Sequence, residues 1–182
     1  LYHWDLPQHL QDRGGWLNRD TAHRFADYAG QMARALQGRI AGWMTLNEPF
    51  CSAYIGHTEG RHAPGLTDAR YGVEAMHHLL LAHGLGTAAL RAHDKAPVGL
   101  VANICQVTPA SDSEADRVAT ERAHASSNLW PLDPLFLGRY PAPLRELWPQ
   151  AEAPLRDGDM AVIGAPIDFL GINYYFVARV RA

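Results

Sequence analysis

The chain has 182 residues, 47% hydrophobic and 19% charged, enough to bury a core within one domain. Sixteen Lys and Arg against nineteen Asp and Glu leave a net charge of -3, so nothing electrostatic points to nucleic acid or an anionic membrane surface as partner. No apolar run approaches the roughly 20 residues of a membrane span, no leader peptide opens the sequence, and two cysteines build no disulfide framework, so a reducing cytoplasm is expected.

Leu1–Trp4 reads as a strand that Asp5-Leu6-Pro7 ends, because proline donates no ladder hydrogen bond. Helical periodicity begins after Asn18 or Asp20. Phe25, Tyr28, Ala29, Met32, Ala35 and Leu36 form one apolar stripe, closed by Gly38. Trp43–Leu46 is a short apolar strand stopped by Asn47-Glu48-Pro49. Residues 50–71 carry no period and read as a long loop, a length more often functional than idle.

A second helix is expected over about Val73–His93, and Val98–Ile104 reads as a strand buried on both faces. Ser111-Asp112-Ser113-Glu114 fits a capping box that opens a helix through about Ala125. From Trp130-Pro131 to Trp148-Pro149 the prolines predict a loop with one short helix near Leu144, and Ile167–Tyr174 reads as a further buried strand. Four strands alternating with helices imply parallel pairing with right-handed crossovers, either in an open doubly wound sheet or in part of a closed barrel. No glycine-rich phosphate loop follows a strand. Polar and aromatic residues gather instead at strand C-termini, at His3-Trp4, Asn47-Glu48, Asn103 and Asn173-Tyr175, and a barrel puts its chemistry on that rim. The expected fold class is therefore α/β, a partial (β/α)8 barrel.

Glu48 is the leading candidate for chemistry. Pro49 biases it toward an extended backbone, and an apolar setting near Trp43 and Phe50 would favour the protonated carboxyl that a general acid needs. The plain alternative is a loop carboxylate that caps a helix or pairs with an arginine. Strict alternation along a strand would send Asn47 and Glu48 to opposite faces, so both reach one cleft only if a bulge or the strand's end breaks the pleat. His57, Glu59 and His62 lie close in sequence but lack metal-ligand spacing and a clear third ligand, so a solvated or substrate-lining loop is expected and no metal. His77, His78 and His83 read as packed or surface histidines. Cys51 and Cys105, both after strand ends, read as free buried thiols.

Three segments in this order, Tyr2-His3-Trp4-Asp5-Leu6-Pro7, Trp43-Met44-Thr45-Leu46-Asn47-Glu48-Pro49 and Gly171-Ile172-Asn173-Tyr174-Tyr175, resemble glycoside hydrolase family 1, the β-glucosidases and their relatives. The resemblance continues through His77–His83, Pro109–Asp116, Asp133-Pro134 and Gly138-Arg139-Tyr140-Pro141. It implies a retaining β-glycosidase that needs no cofactor and takes a β-glucoside or related oligosaccharide. Glu48 resembles the acid/base carboxylate of the fourth strand, and Asn47 the amide that binds the sugar 2-hydroxyl. His3 and Trp4 resemble the sugar-binding pair of the third strand. Tyr175 resembles the tyrosine that hydrogen-bonds the nucleophile, with Asn173 nearby. The family's Glu-Asn-Gly nucleophile motif is absent here. Residues 1–182 are thus expected to form one incomplete barrel domain, about strands three to six, cut at both ends. A noncatalytic sugar-binding module and a phospho-β-glycosidase remain the alternative readings.

Overall fold

The parallel sheet has a strand order that follows the chain. In the computed structural model, which describes residues 1–182, β1 (Trp43–Asn47), β2 (Val98–Pro109) and β3 (Phe169–Val180) pair in the order β1-β2-β3. The N-terminal segment joins the far side of β1 through a single parallel bridge, Tyr2 to Leu46. The expected first strand is therefore reduced to one bridge, because Asp5-Leu6-Pro7 turns the chain away. A doubly wound sheet reverses its strand order at a switch point, and none occurs here. The chain carries part of a (β/α)8 barrel wall.

Helices cover one side of that wall. α1 (Gln8–Gln11) leads to a 3-10 turn at Gly15–Leu17 and then to α2 (Asp20–Leu36), which buries Ala22, Phe25, Ala29 and Ala33 at three- and four-residue spacing. α3 (Ala69–Arg91) is apolar over most of its circumference and carries much of the core, with Met76, Leu79, Leu80 and Leu90 fully buried. Asp68 caps it, its Oδ1 accepting from the Arg70 amide at 2.8 Å. Two glycines permit the close packing. A Cβ on Gly84 would collide with the Val162 carbonyl, and one on Gly99 with that of Phe169 in the β2–β3 ladder. No helix is long and apolar enough to cross a membrane.

Several elements differ from expectation. The stretch after Glu48 is not irregular throughout, since Cys51–Ile55 forms a π-helical turn. Its small residues Ser52 and Ala53 are buried, so packing supports a turn that no apolar period announces. α4 (Glu114–His124) is capped by Ser113 rather than Ser111, with Ser113 Oγ accepting from the Asp116 amide at 3.2 Å. A π-helical segment, Ala125–Leu129, runs into α5 (Trp130–Leu137), where a loop is expected. Pro131 follows directly on the π-helical segment and Pro134 lies inside α5; both are buried, so packing keeps helical a stretch that its prolines predict as loop. α6 (Pro143–Leu147) matches the short helix near Leu144, and α7 (Asp159–Ile163) precedes β3.

A buried polar tie joins three of these units. Asp159 on α7 receives the guanidinium of Arg19 and lies 2.9 Å from His77 Nε2, while His77 Nδ1 meets Tyr140 OH at 2.9 Å. Burial alone would raise the Asp159 pKa. Bonds from Arg19, the Arg156 amide and His77 reverse this and hold it well below the usual carboxylate range.

Candidate active site

Strand β1 breaks its pleat just before Asn47 and Glu48. Met44 pairs with Gly99 and Asn47 with Val101, so Thr45 and Leu46 together oppose Leu100 alone. This is a bulge, rare between parallel strands. Both bulged residues face the helices: Thr45 Oγ1 lies 2.6 Å from His83 Nδ1 of α3, and Leu46 is fully buried in the main core. Met44, by contrast, is half exposed on the opposite face, and Asn47 joins it there. Trp43 packs with Ala29, Ala33 and Leu90, and its indole donates to Asp94 at 3.1 Å, so it does not line the site as expected.

Glu48 then departs from extended geometry. Its φ is +44°, left-handed rather than the extended conformation that Pro49 favours. Trp4, at φ +75°, is the only other non-glycine residue with positive φ. Such backbone costs about 1–3 kcal/mol per residue and persists only where its surroundings hold it. Here the Glu48 amide donates to Val101 O at 2.8 Å, and Trp4 Nε1 donates to Asn47 O at 2.9 Å. The two strained residues flank Asn47, and bulge and left-handed turn together bring the side chains of Asn47 and Glu48 to one cleft.

The expected rim residues meet there. Asn173 Nδ2 donates to Glu48 Oε1 at 2.6 Å and to Asn47 Oδ1 at 3.2 Å. Tyr175 OH donates to the same Glu48 oxygen at 2.9 Å, and that bond raises the phenol pKa. Asn47 Nδ2 lies 3.3 Å from His3 Nε2, and the rings of His3 and Trp4 stand 4.9 Å apart. His3, Trp4, Asn47, Glu48, Asn173 and Tyr175 thus form one connected cluster. Asn103 does not end a strand, since β2 continues to Pro109; it pairs with Asn173 inside the ladder, and its buried Oδ1 has no hydrogen-bond partner.

Glu48 is only 3% exposed. It joins no ion pair and caps no backbone amide, which removes the plain reading of a capping or arginine-bound carboxylate. All three groups on its oxygens are neutral side-chain donors. The third, unforeseen in the sequence, is Cys51 Sγ, 3.1 Å from Oε2. Burial, then the adjacent carboxylate, push this thiol up to about 12. A second missed arrangement lies behind the cleft, where Trp16 Nε1 donates to Tyr2 OH at 2.9 Å and that hydroxyl meets Ser52 Oγ at 3.2 Å. Cys51 and Ser52 would stand out only if the segment after Pro49 were read as helical.

The remaining suspects take structural places. His57 is buried with Nδ1 2.7 Å from Ser52 O, Glu59 pairs with Arg61, and His62 lies 5.4 Å from the Trp4 ring. Trp130 and Trp148 lie 4.8 Å apart and pack with Phe50 and Tyr54. His77, His78 and His83 are all buried on α3.

The sequence profile of Glycosyl hydrolase family 1 matches residues 1–182. A β-glucosidase of Agrobacterium sp. is 43% identical over 181 residues, covering 99% of this chain and 39% of its own length. The crystal structure of the AHE enzyme from Alicyclobacillus herbarius superposes with a TM-score of 0.96 at 48% identity, covering all of this chain and 42% of that one. Virulence factor SghA, solved with its substrate analog salicin, superposes with a TM-score of 0.94 at 42% identity, covering 98% and 40%. The chain thus spans about two fifths of the length of the relatives it matches. With a profile match along its whole length and a barrel-wall fold shared at this identity, the chain belongs to glycosyl hydrolase family 1.

Proposed function

We propose that this chain supplies the acid/base half of a retaining β-glycosidase site, with Glu48 as the proton-transferring carboxyl. The observation that carries the reading is the setting of Glu48: a nearly buried carboxylate at a strand's C-terminal end, held by neutral donors and tied to no cation. Such a group can exist in either protonation state without breaking an ion pair. Family membership and β-glucosidase relatives support the substrate class, a β-glucoside or related oligosaccharide.

In this mechanism Glu48 first protonates the oxygen of the departing group while a second carboxylate attacks the anomeric carbon. It then takes a proton from the water that hydrolyses the glycosyl-enzyme. Retention requires the two carboxyl groups about 5–5.5 Å apart. The nucleophile is assigned to sequence outside these 182 residues, and Tyr175, which donates to Glu48 here, is assigned to it in the complete site. Asn47 is the proposed contact to the sugar 2-hydroxyl, and His3 and Trp4 bind the sugar beside the cleaved bond. Asn173 bridges the two catalytic-side groups. No step calls for a cofactor.

The test is Glu48→Gln in the complete enzyme. The change is nearly isosteric and removes proton donation, so turnover of an unactivated disaccharide should fall about 10²–10⁴-fold. An aryl glycoside with a good leaving group should lose much less in its first step. Equal disaccharide rates for variant and parent would refute the assignment. Sugar binding without turnover by the parent would favour a noncatalytic module instead.

A further inference from the structure

Among the helices, a cavity of about 390 Å³ opens between the Arg13–Asn18 turn, α3 and the segment that leads into α7. Its volume falls in the range of about 300–1,000 Å³ typical of small-molecule sites, but its lining is charged where most such sites are apolar. Arg13, Arg19, Glu74, His78 and Arg156 line it, and none belongs to the rim cluster around Glu48. Arg19 is compensated by Asp159. Arg13 and Arg156 bond only through backbone atoms: the Arg13 carbonyl accepts from Asn18 Nδ2, and the Arg156 amide donates to Asp159, each at 2.9 Å. Both guanidinium groups are free. His78 is the built part of the wall, only 3% exposed, with Nδ1 donating to Trp16 O at 2.8 Å. The neutral ring leaves Nε2 as an acceptor, which the fold neither pairs nor seals. Burial above all lowers the His78 pKa to about 4, so the ring keeps that form near neutrality.

We propose that this cavity binds a small hydroxylated anion, of the sugar phosphate or sugar acid class. Arg13 and Arg156 take the anionic group, and Glu74 and His78 Nε2 accept from hydroxyls. The division follows from charge. Two free guanidinium groups outweigh one carboxylate, and their planar forks match a phosphate or carboxylate. Glu74 forms no ion pair or side-chain hydrogen bond, and burial raises its pKa, as for a carboxylate that lacks a donor. A simple anion brings few protons to Glu74 and Nε2, whereas a row of hydroxyls satisfies both. The site is independent of the role given to Glu48.

The test is titration calorimetry of the complete enzyme with glucose 6-phosphate, gluconate and inorganic phosphate. At least one of the first two should bind about tenfold more tightly than inorganic phosphate, and the tighter of them identifies the anionic group. The double variant Arg13→Ala/Arg156→Ala should weaken that binding about tenfold or more. Its melting temperature and its kcat/KM for an aryl β-glucoside should match the parent's, because both side chains are exposed and the Arg156 amide is kept. Glu74→Ala should close the gap between the hydroxylated anion and inorganic phosphate; a gap that survives would contradict the hydroxyl contact. No binding of either hydroxylated anion at millimolar concentration would overturn the proposal. Equal binding by parent and double variant would overturn it as well, since the ligand would then sit elsewhere. Inorganic phosphate binding as tightly as both would overturn the hydroxylated class.

Discussion

Asn173 Nδ2 lies 2.6 Å from Glu48 Oε1 and 3.2 Å from Asn47 Oδ1, so one amide on β3 joins the last residue of β1 and the residue that follows it, across the intervening β2. The register of three strands, not any single one, therefore sets the orientation of the proposed acid/base carboxyl. Because β2 aligns Asn103 with Asn173 and Val101 with Asn47, the amide arrives from the adjacent level of the wall.

Removing that amide should disorder the site more than the fold. Hydrogen bonds to charged groups are worth about 1.5–3 kcal/mol. Asn173→Ala in the complete enzyme is expected to lower kcat/KM by about ten- to a hundred-fold, with little loss of melting temperature because the residue is only partly buried and lies outside the hydrophobic core. Unchanged kcat/KM would reduce Asn173 to a packing residue.

The elements legible in the sequence are those with strong periodicity or an unmistakable stop. The helix α2, the β2 core run and the Asn47-Glu48-Pro49 end of β1 fall where their patterns place them, but the buried face of α2 is Ala22, Phe25, Ala29 and Ala33, while Tyr28 and Ala35 of the expected stripe are exposed. The rim cluster was legible too, because barrel chemistry collects at strand C-termini. A break in the pleat near Asn47 and Glu48 was expected, as a bulge or as the strand's end; its place at Thr45 and Leu46 was not legible, since both look like ordinary members of a strand and only the partner strand exposes the extra residue. Nor was the left-handed backbone of Glu48, which is imposed by the Val101 carbonyl against local preference. The Cys51 contact depends on a turn whose small residues carry no period.

The buried tie at Asp159 is expected to carry stability. Removing one partner of a buried pair leaves the other charge without compensation and typically costs about 3–5 kcal/mol. Asp159→Ala should show a loss of that size in chemical denaturation of the complete enzyme. Asp20→Ala, which breaks the exposed Arg24–Asp20 pair on α2, should change stability by no more than about 1 kcal/mol. Equal effects at the two sites would contradict the burial argument.

Acid should weaken the fold before the carboxylates titrate. Burial lowers His78 and His83 on α3 from 6.5 to about 4 each. Both stay neutral in the native state while the unfolded chain binds protons, so their contribution is present above pH 6.5 and lost as pH falls toward 4. With the unfolded state holding up to two more protons, the slope reaches about 3 kcal/mol per pH unit within that window. Denaturation midpoints measured between pH 7 and 4.5 should fall accordingly, and His83→Gln should flatten the curve. A flat profile between pH 6.5 and 4.5 would show that these histidines protonate in place.

These 182 residues by themselves should behave as an incomplete wall. Ile172, Tyr174, Phe176 and Val177 on β3 are each more than half exposed, an apolar edge that ordinarily needs cover. The isolated chain is expected to bind an apolar dye, melt broadly and leave an aryl β-glucoside intact. A sharp monomeric melt without dye binding would contradict the stability part. Turnover that vanishes on Glu48→Gln would reveal a second working carboxylate within the chain.

The central claim, that Glu48 is the acid/base carboxyl of a retaining site, is tested most directly by azide rescue of Glu48→Ala in the complete enzyme. With an activated aryl β-glucoside, formation of the glycosyl-enzyme needs little acid assistance, but water then lacks its general base. Azide needs no such base and fills the space left by the carboxyl. The account predicts that added azide restores turnover and yields a glycosyl azide of β configuration. No rescue, or an α-configured azide, would contradict it.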